Sequence, residues 1–572
     1  MTDAPRPGAE VNAEAEAASP ARQAVVRDPS WPAQVDIFDT TLRDGSQFEG
    51  IALTADDKLK IAGLLDELGV HYIEGGWPGA NPRDDQFFQR AAAGELHLTN
   101  STLVAFGSTR RPRGKVDGDQ TLANLLAART STVCIVAKSW DYHVTEALRT
   151  TLEEGVAMIA DSVRFLTAEG RRVFVDFEHF FDGYKHNPEF ALRAVEAAAV
   201  AGAETLVLCD TNGGSLPHEV EAATAQVVGM FPELVVGMHT QNDTGCAVAN
   251  AVAGVRAGSR HVQGTINGYG ERTGNCDLTT FIPNLSLKMG IDALPEGRLG
   301  RLTAISNHVA ELVNLPPMPQ QPYVGKSAFA HKAGLHTSAI ARRPDAYEHV
   351  EPSLVGNGTR FLVSDLSGRA TIELKAKELG LELQADQMAE VLGQLKELEN
   401  AGYHFEAADA SLELLMRRAT GWRNPFFSLE SFRVLVENRP GPVGQAEEAD
   451  QNPLGHHDGV ETEATVKLWL SSGDQQERIV ATGEGNGPVN ALDAAFRTAV
   501  GERIPALSMV RLVDYKVRIL DSSTGTGAVT RVLIDATDGE RQWTTIGVSE
   551  NIIDASWQAL SDALLYGLLE RA

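Results

Sequence analysis

The chain has 572 residues and a formal net charge of −27; 43 % of its residues are apolar and 22 % are charged. The length predicts two or three domains, and the composition is that of an ordinary soluble globular protein. The negative charge argues against nucleic acid or an anionic membrane as a partner, and no apolar run approaches the ~20 residues of a membrane span.

The N-terminal composition and the cysteines indicate where the protein works. Residues 1–30 are rich in Ala, Pro and Glu and lack the apolar segment of a secretory signal, so we predict a disordered tail. The four cysteines form no CxxC motif; they are Cys134, Cys209, Cys246 and Cys276. We therefore predict a reduced, cytoplasmic protein without a disulfide framework.

Eight short apolar runs, separated by amphipathic stretches, organise the first half of the chain. The runs are VDIF (35–38), YIEGG (72–76), TLVAF (102–106), TVCIVA (132–137), VFVDF (173–177), TLVLCD (205–210), LVVGMH (234–239) and HVQGTI (261–266). Segments between them, such as 55–69 and 187–202, have helical periodicity. Eight strand–helix units predict an α/β fold, a (β/α)8 TIM barrel over residues 31–290. A doubly wound sheet is the alternative, but the regular units without a GxGxxG motif favour closure.

The second half of the chain predicts three further regions. Residues 291–436 have a helical pattern with breaks and carry the sequence HKAGLH, and residues 437–461 have the Pro, Gly and acid content of a linker. Residues 462–572 contain a weak internal repeat, in which 479–500 and 543–564 align at an offset of 64. Each half reads as strand, glycine turn and amphipathic helix. This pseudo-repeat predicts an α+β module for allosteric regulation or dimerisation.

Polar clusters follow six of the eight predicted strands. They are TTLRDGSQ, GGWPGANP, EHFFDGYK, DTNGG, HTQND and NGYGERTGN. The chemistry of a (β/α)8 barrel lies at the C-terminal ends of its strands. We therefore predict an active site at this rim.

Three of these clusters contain residue types that bind a divalent metal. Asp44 offers a carboxylate, His239 an imidazole and Asn275 an amide oxygen, after strands 1, 7 and 8, which are neighbours in a closed barrel. This mixed nitrogen and oxygen set predicts Zn²⁺, Mn²⁺ or Mg²⁺. Arg43 could hold or polarise a substrate carbonyl or carboxylate. The alternative is a rim salt bridge between Arg43 and Asp44 beside a structural histidine.

The same motifs carry a resemblance to a known family. FDTTLRDGSQ, the HxxND pattern at 239–243 and INGYGERTGN resemble the acyl-CoA-condensing, metal-dependent barrels, the family of 2-isopropylmalate, homocitrate and citramalate synthases. GGWPGANPRD, FGSTRR, KSWDYHVTEAL, DFEHFFDGYK, LCDTNGG and VGNGTRFLVSDLSGR resemble its citramalate branch. The similarity runs from about residue 33 to the C-terminus. It implies a Claisen-type condensation of acetyl-CoA with a small 2-oxo acid, pyruvate in that branch, which serves isoleucine biosynthesis.

The resemblance also implies a role for each site residue. The metal ligands would be Asp44, His239, Gln241 and Asn275, the substrate would meet Arg43, Gln47 and Thr211, and the catalytic residues would be Arg43, Glu178, His336 and Tyr347. Arg43 would stabilise the developing alkoxide, and Glu178 would assist the enolisation of acetyl-CoA. His336 and Tyr347 would move protons or assist thioester hydrolysis. The C-terminal repeat resembles the allosteric domain of 2-isopropylmalate synthase, which implies a homodimer and an amino-acid effector, isoleucine or leucine.

Gln241 departs from the family pattern. The family has HxHND, whereas this chain has HTQND, from His239 to Asp243. An amide oxygen can still bind a metal, but it is a harder and weaker donor than an imidazole. We therefore expect the site to favour Mg²⁺ or Mn²⁺ over Zn²⁺, or to bind its metal less tightly.

Three other functions are compatible with the sequence. A 2-isopropylmalate synthase or related 2-oxo acid condensing enzyme would share the motifs. A carbon–carbon lyase would share the barrel, but lyases of that barrel generally lack the C-terminal module and the HKAGLH segment. A non-catalytic, amino-acid-sensing homologue would explain Gln241, although the other site residues are all present.

Overall fold

A computed structural model of the chain describes residues 25–332, 340, 343, 347–363, 369–438, 460–472, 475–520, 525 and 527–569. The chain forms two compact units, one made of Met1–Ala330 with Glu348–Arg360 and the other of His331–Tyr347 with Phe361–Ala572. Within the described ranges, no helix is long and apolar enough to cross a membrane. Most of the predicted N-terminal tail, residues 1–24, lies outside the description.

The first unit contains a closed barrel of eight parallel strands in chain order, which confirms the predicted (β/α)8 fold. The strands are β1 (Asp36–Asp39), β2 (Tyr72–Gly76), β3 (Thr102–Ser108), β4 (Thr132–Lys138), β5 (Arg172–Glu178), β6 (Thr205–Asp210), β7 (Val235–Thr240) and β8 (His261–Gly264). The pairing of β8 with β1 closes the barrel. Each strand lies within two residues of its predicted run, because strands buried on both faces have continuous apolar sequences.

Helices surround and follow the barrel. They are α1 (Ala55–Leu68), α2 (Pro82–Ala92), α3 (Gln120–Ala127), α4 (Leu152–Ala168), α5 (Phe180–His186), α6 (Pro188–Ala201), α7 (Pro217–Met230), α8 (Ala247–Arg256), α9 (Leu278–Asn284) and α10 (Leu302–Leu312). Helix α1 shows how the sequence determines the ends and the buried face of a helix. Thr54 and Asp57 form a capping box at its start, and Gly69 ends it at φ 91°. Between them, Ile61 and Leu65 are fully buried, each contributing about 1.5–3 kcal/mol.

Side chains fill the barrel in two layers of different character. Tyr72, Phe174 and His261 form, with Phe38, an aromatic layer with ring centroids 5.1–6.2 Å apart. Two residues further along the same strands, Glu74, Asp176 and Gln263 form a polar layer that is at most 4 % exposed. Residues two apart on a strand point to the same side. The polar layer therefore lies between the aromatic layer and the C-terminal rim.

The second unit contains helices and two small sheets. Its helices are α11 (Arg369–Glu378), α12 (Ala385–Asn400), α13 (Asp409–Ala419), α14 (Pro488–Val500) and α15 (Ile552–Leu569). One antiparallel sheet is β11 (Phe427–Asn438), β12 (Val460–Ser472) and β13 (Gln475–Gly485), and the other is β14 (Arg511–Ile519), β15 (Thr530–Thr537) and β16 (Gln542–Ser549). A helix follows each sheet. The predicted pseudo-repeat is thus present, and each half comprises three strands and a helix. The strands β9 (Ala330–His331) and β10 (Arg360–Phe361) form a short two-stranded sheet.

One predicted boundary is wrong. β11 begins within the region that we predicted as helical, 291–436, and it pairs with β12 along its length. The C-terminal module therefore begins before residue 462, on the N-terminal side of the predicted linker. Residues 439–459 of that linker lie outside the description. The physical reason is that β11 needs β12 as its partner, and β12 comes after the linker in the sequence.

Candidate active site

A cavity of about 480 Å³ opens at the C-terminal ends of the barrel strands. The predicted site residues that line it are Arg43, Asp44, Gln47, Glu178, Thr211, His239 and Gln241. Asn275 is beside them, because its backbone forms an antiparallel bridge with that of Gln241. The structure therefore brings the predicted metal ligands and substrate contacts together on one surface.

Asp44, His239 and Gln241 have the spacing of ligands around one ion. Oδ2 of Asp44 lies 3.4 Å from Nε2 of His239, and the amide nitrogen of Gln241 lies 3.5 Å and 3.4 Å from these two atoms. These distances are long for hydrogen bonds. Two atoms that bind a single ion at about 2.1 Å, with a tetrahedral angle between them, are about 3.4 Å apart.

Gln241 and Asn275 each hold a buried oxygen acceptor without a hydrogen bond. These atoms are Oε1 of Gln241 and Oδ1 of Asn275, in side chains that are 3 % and 2 % exposed. The Asn275 amide nitrogen donates to the Tyr269 carbonyl over 3.4 Å, which leaves its oxygen for another partner. A half-turn of the Gln241 amide places its oxygen toward Asp44 and His239. Buried acceptors normally have partners, and a divalent cation would satisfy both, so the residues fit a metal.

Arg43 is held beside this group by three contacts. Its Nε donates to Oε2 of Glu74 over 2.6 Å, its Nη1 lies 3.7 Å from Oδ2 of Asp44, and its guanidinium lies 3.9 Å from the centre of the Phe106 ring. The Trp77 ring packs edge-on against Phe106 at 5.3 Å. The charges of Glu74 and Asp44 raise the pKa of Arg43 against the opposing effect of burial, so it stays a cation. The predicted salt bridge with Asp44 is thus real but secondary to that with Glu74.

A second group of potential ligands, Glu74, Cys134 and Asp176, lies in the polar layer within 4.8 Å of one another. Burial raises the pKa of Glu74 to about 7, partly offset by Arg43, and it raises the pKa of the Cys134 thiol well above its usual value. A protonated thiol is a poor ligand, and Arg43 already supplies a positive charge here. This arrangement favours a buried charge cluster around Arg43 over a second metal site.

Glu178 and Thr211 line the cavity with defined partners. Glu178 forms an ion pair with Lys138 at the end of β4, and its backbone carbonyl accepts from the Ser139 hydroxyl over 2.9 Å. The Thr211 hydroxyl oxygen accepts from the backbone N–H of His179 over 2.9 Å, so its proton can point to a ligand. Gln47 ends the short 3₁₀ helix Gly45–Gln47, which follows β1 and starts directly after Asp44.

Two predicted catalytic residues belong to the second unit of the chain. His336 lies outside the described residues. Tyr347 belongs to the second unit, where its side chain is 47 % exposed. Their proposed roles stay predictions.

Sequence reasoning missed several residues that the barrel brings to the site. Lys138, Arg111 and Asp176 line the cavity, and Gln263 is fully buried beside Asp176. Two signals were the first residue of KSWDYHV, which is Lys138, and the last residue of FGSTRR, which is Arg111. A polar residue inside an apolar run, as in VFVDF and HVQG, is a third signal, since an inward-facing polar group must find a partner in the barrel.

Comparison with known proteins agrees with this architecture. Residues 34–309 match the HMGL-like family, residues 323–403 match the homocitrate synthase post-HMGL domain-like family, and residues 406–568 match the LeuA allosteric (dimerisation) domain. An (R)-citramalate synthase of Streptomyces coelicolor is 55 % identical over 93 % of this chain and 96 % of its own. One of Aquifex aeolicus is 49 % identical over 94 % and 98 %. A probable 2-isopropylmalate synthase of Methanopyrus kandleri is 31 % identical over 92 % and 97 %.

The barrel, its rim and the order of the matched regions define the class as that of the HMGL-like condensing enzymes with a C-terminal allosteric domain. Within this class, (R)-citramalate synthases of five organisms are 42–55 % identical to this chain over 93–94 % of its length, whereas the probable 2-isopropylmalate synthase is 31 % identical. The chain belongs to the (R)-citramalate synthase family.

Proposed function

We propose that the protein is an (R)-citramalate synthase, an acyltransferase that condenses acetyl-CoA with pyruvate to give citramalate and CoA in isoleucine biosynthesis. The observation that carries this proposal is one cavity that holds both the candidate metal ligands and the charged Arg43, in a chain 55 % identical to a curated enzyme of that name. A barrel that had lost its chemistry would not need two buried, unpartnered acceptors on neighbouring residues of the rim.

The residues divide the reaction between them. A divalent ion on Asp44, His239, Gln241 and Asn275 would polarise the carbonyl of the oxo acid as a Lewis acid. Arg43, fixed by Glu74, faces the same cavity and stabilises negative charge on the carbonyl oxygen as the new bond forms. Thr211 can donate its hydroxyl proton to the substrate carboxylate, and Gln47 lines the same wall.

Glu178 is the candidate base. A proton leaves the methyl group of acetyl-CoA for the carboxylate, and the methyl carbon forms a bond with the carbonyl carbon of pyruvate, whose oxygen becomes an alkoxide. Lys138 forms an ion pair with Glu178 at the cavity wall and would hold the carboxylate in position for the transfer. Protonation of the alkoxide and hydrolysis of the thioester by water then release CoA. His336 and Tyr347 are proposed for these last proton transfers.

Acetyl-CoA is proposed to enter on the side of the cavity opposite the metal. Asp44 follows β1 and His239 lies near the end of β7. Arg110 and Arg111 follow β3 and Lys138 ends β4, across the barrel. Arg110 is already paired with Glu154 and Asp161, at 2.7 and 2.8 Å. Arg111 is an exposed cation at the cavity wall. In a chain with a net charge of −27, such a cation suits the phosphates of CoA.

The C-terminal module is proposed to regulate the enzyme. Its two three-stranded sheets, each followed by a helix, lie in the region that matches an allosteric (dimerisation) domain. We propose a homodimer with feedback by a branched-chain amino acid, isoleucine by the logic of the pathway. Inhibition by isoleucine at concentrations where leucine has no effect, and a dimer mass in solution, would support this.

Thiol release from acetyl-CoA tests the proposed function. Pyruvate, 2-oxobutanoate and 2-oxoisovalerate are each offered with Mg²⁺, Mn²⁺ or Zn²⁺. We expect release with pyruvate in the presence of Mg²⁺ or Mn²⁺. Preference for 2-oxoisovalerate would indicate a 2-isopropylmalate synthase, and no release from folded protein with any acid would indicate the amino-acid-sensing homologue.

A further inference from the structure

The imidazole of His239 contacts a different partner through each nitrogen. Nε2 lies 3.4 Å from Oδ2 of Asp44, among the candidate metal ligands, and Nδ1 lies 2.9 Å from Oε1 of Gln263. A neutral imidazole has a proton on one nitrogen and a lone pair on the other. The position of this proton therefore decides whether His239 can bind a cation through Nε2.

Asp176 fixes the orientation of the Gln263 amide. The amide nitrogen of Gln263 donates to Oδ1 of Asp176 over 2.8 Å. A carboxylate accepts hydrogen bonds, so the NH₂ end of the amide faces Asp176 and the carbonyl end faces His239. The carbonyl oxygen can only accept. Nδ1 of His239 must then carry the proton, and Nε2 must carry the lone pair.

Burial makes this arrangement strict. Gln263 is fully buried, and Asp176 and His239 are 4 % and 6 % exposed. Solvent does not replace a hydrogen bond that is lost in such a place. The opposite orientation of Gln263 would set its carbonyl oxygen against the Asp176 carboxylate and its NH₂ group against Nδ1 of His239.

We propose that Asp176 and Gln263 are positioning residues that hold His239 in the tautomer protonated on Nδ1, with Nε2 ready to bind a divalent cation. The inference rests on the metal site of the proposed function and adds the two residues that prepare its imidazole ligand. Gln263 does not line the cavity, and Asp176, which does, acts through its hydrogen bond with Gln263. Partners of this kind typically change metal affinity by about 10–100-fold.

The tautomer and the affinity can be measured separately. Metal-free protein labelled with ¹⁵N-histidine reports which ring nitrogen of His239 is protonated, and the His239→Asn variant identifies its signals. Mn²⁺ binding is measured by the loss of the free-ion electron paramagnetic resonance signal. The variants are Gln263→Met, which removes both hydrogen bonds, and Asp176→Asn, which preserves shape but lets the Gln263 amide turn over.

Gln321→Met is the matched control. Gln321 is also a buried glutamine, 8 % exposed, whose amide donates to Asp277 over 3.2 Å and to Thr279 over 3.1 Å. It is not among the residues that line the cavity. Its loss should lower the melting temperature without changing Mn²⁺ affinity, which separates a structural cost from the positioning effect.

We expect the tautomer protonated on Nε2 to appear in both test variants and Mn²⁺ affinity to fall by about 10–100-fold. The inference is overturned if a folded test variant keeps the proton on Nδ1 and binds Mn²⁺ as the unmodified protein does. It is also overturned if the unmodified protein carries the proton on Nε2. Should one variant not fold, the other decides. The expected tautomers and affinities without any thiol release would reject the condensing activity while supporting the positioning role.

Discussion

The aromatic and polar layers of the barrel lie on the same strands, two residues apart, yet they answer to different constraints. Tyr72, Phe174 and His261 fill space against one another, whereas Glu74, Asp176 and Gln263 each have a specific hydrogen-bond partner. Two residues along a strand correspond to about 6.6 Å. The aromatic layer therefore contributes mainly to the stability of the barrel, whereas the polar layer, about 6.6 Å away, positions the charged groups of the cavity.

Removal of Arg43 should have the largest effect. Arg43→Met deletes the cation that faces the cavity and leaves Glu74 buried without its partner. We expect kcat to fall by about 10²–10³-fold, as when one donor to a developing oxyanion is lost. Steady-state kinetics with saturating metal measure this. Phe174→Leu, in the aromatic layer, is the control and should keep kcat; near-normal turnover by Arg43→Met would remove Arg43 from the mechanism.

Truncation in the aromatic layer should affect stability alone. Phe174 is 1 % exposed and contacts the rings of Phe38, Tyr72 and His261. We expect Phe174→Ala to lower the free energy of unfolding by about 3–5 kcal/mol. Equilibrium unfolding in urea measures this change. Activity per folded molecule should be unchanged. If kcat falls in protein that is still folded, the two layers are not independent.

The two layers should respond to pH in opposite directions. Burial lowers the pKa of His261 to about 3, so folded His261 stays neutral while the unfolded chain binds a proton below about 6.5. This contribution to stability is present above 6.5 and is lost as the pH falls toward 3. Burial raises the pKa of Glu74 to about 7 from 4.5, so its contribution is present below 4.5 and is lost as the pH rises toward 7.

Melting temperatures measured from pH 4 to 8 test this opposition. His261→Asn should reduce the loss of stability on the acid side, and Glu74→Gln should reduce the loss between pH 4.5 and 7. Each effect should be at most about 3–5 kcal/mol, from 1.36 kcal/mol per pKa unit. The slope of melting temperature against pH is compared between the variants and the unmodified protein, because both substitutions also change the absolute stability. Parallel slopes for all three proteins would contradict the two assignments.

A histidine at position 241 should increase the affinity of the site for Zn²⁺ relative to Mn²⁺. Gln241→His restores an imidazole beside His239, and we expect Zn²⁺ affinity to rise by on the order of tenfold or more, with less change for Mn²⁺. Competition with a chelator measures both. Gln47→His places a histidine elsewhere in the same cavity and should have little effect. An equimolar Zn²⁺ content that survives dialysis of the unmodified protein would contradict the preference for Mg²⁺ or Mn²⁺.

The smallest effect on activity should come from a substitution of Arg111, on the cavity wall opposite the candidate metal ligands. Arg111→Gln removes the cation that we propose contacts the CoA phosphates. It should raise the KM for acetyl-CoA by about tenfold, which corresponds to a lost contact of about 1.5 kcal/mol. The KM for pyruvate and the turnover of acetyl-N-acetylcysteamine, which lacks phosphates, should not change. Arg113→Gln changes a cation of the same loop that does not line the cavity. An equal effect of both substitutions would indicate general electrostatics.

The sequence predicted the fold and the rim, because both depend on neighbours along the chain. Apolar runs marked the strands, and Asp44 and His239 stood out because they come at or just after strand ends. The polar layer could not be predicted, since the contact of Gln263 with Asp176 joins β8 to β5 across the closed barrel. β11 was missed for the same reason, as its alternating sequence becomes a strand only when β12 pairs with it. The local sequence pattern does not show which residues pair when they are far apart along the chain.

Phe106 links the size of the cavity to its charge. The Arg43 guanidinium lies over one face of its ring, and Trp77, which also lines the cavity, packs edge-on against it. A smaller residue at position 77 would admit a larger oxo acid, but it would also release Phe106 and with it Arg43. An engineer who widens this pocket should therefore expect activity to fall together with selectivity, and should redesign positions 77 and 106 as a pair.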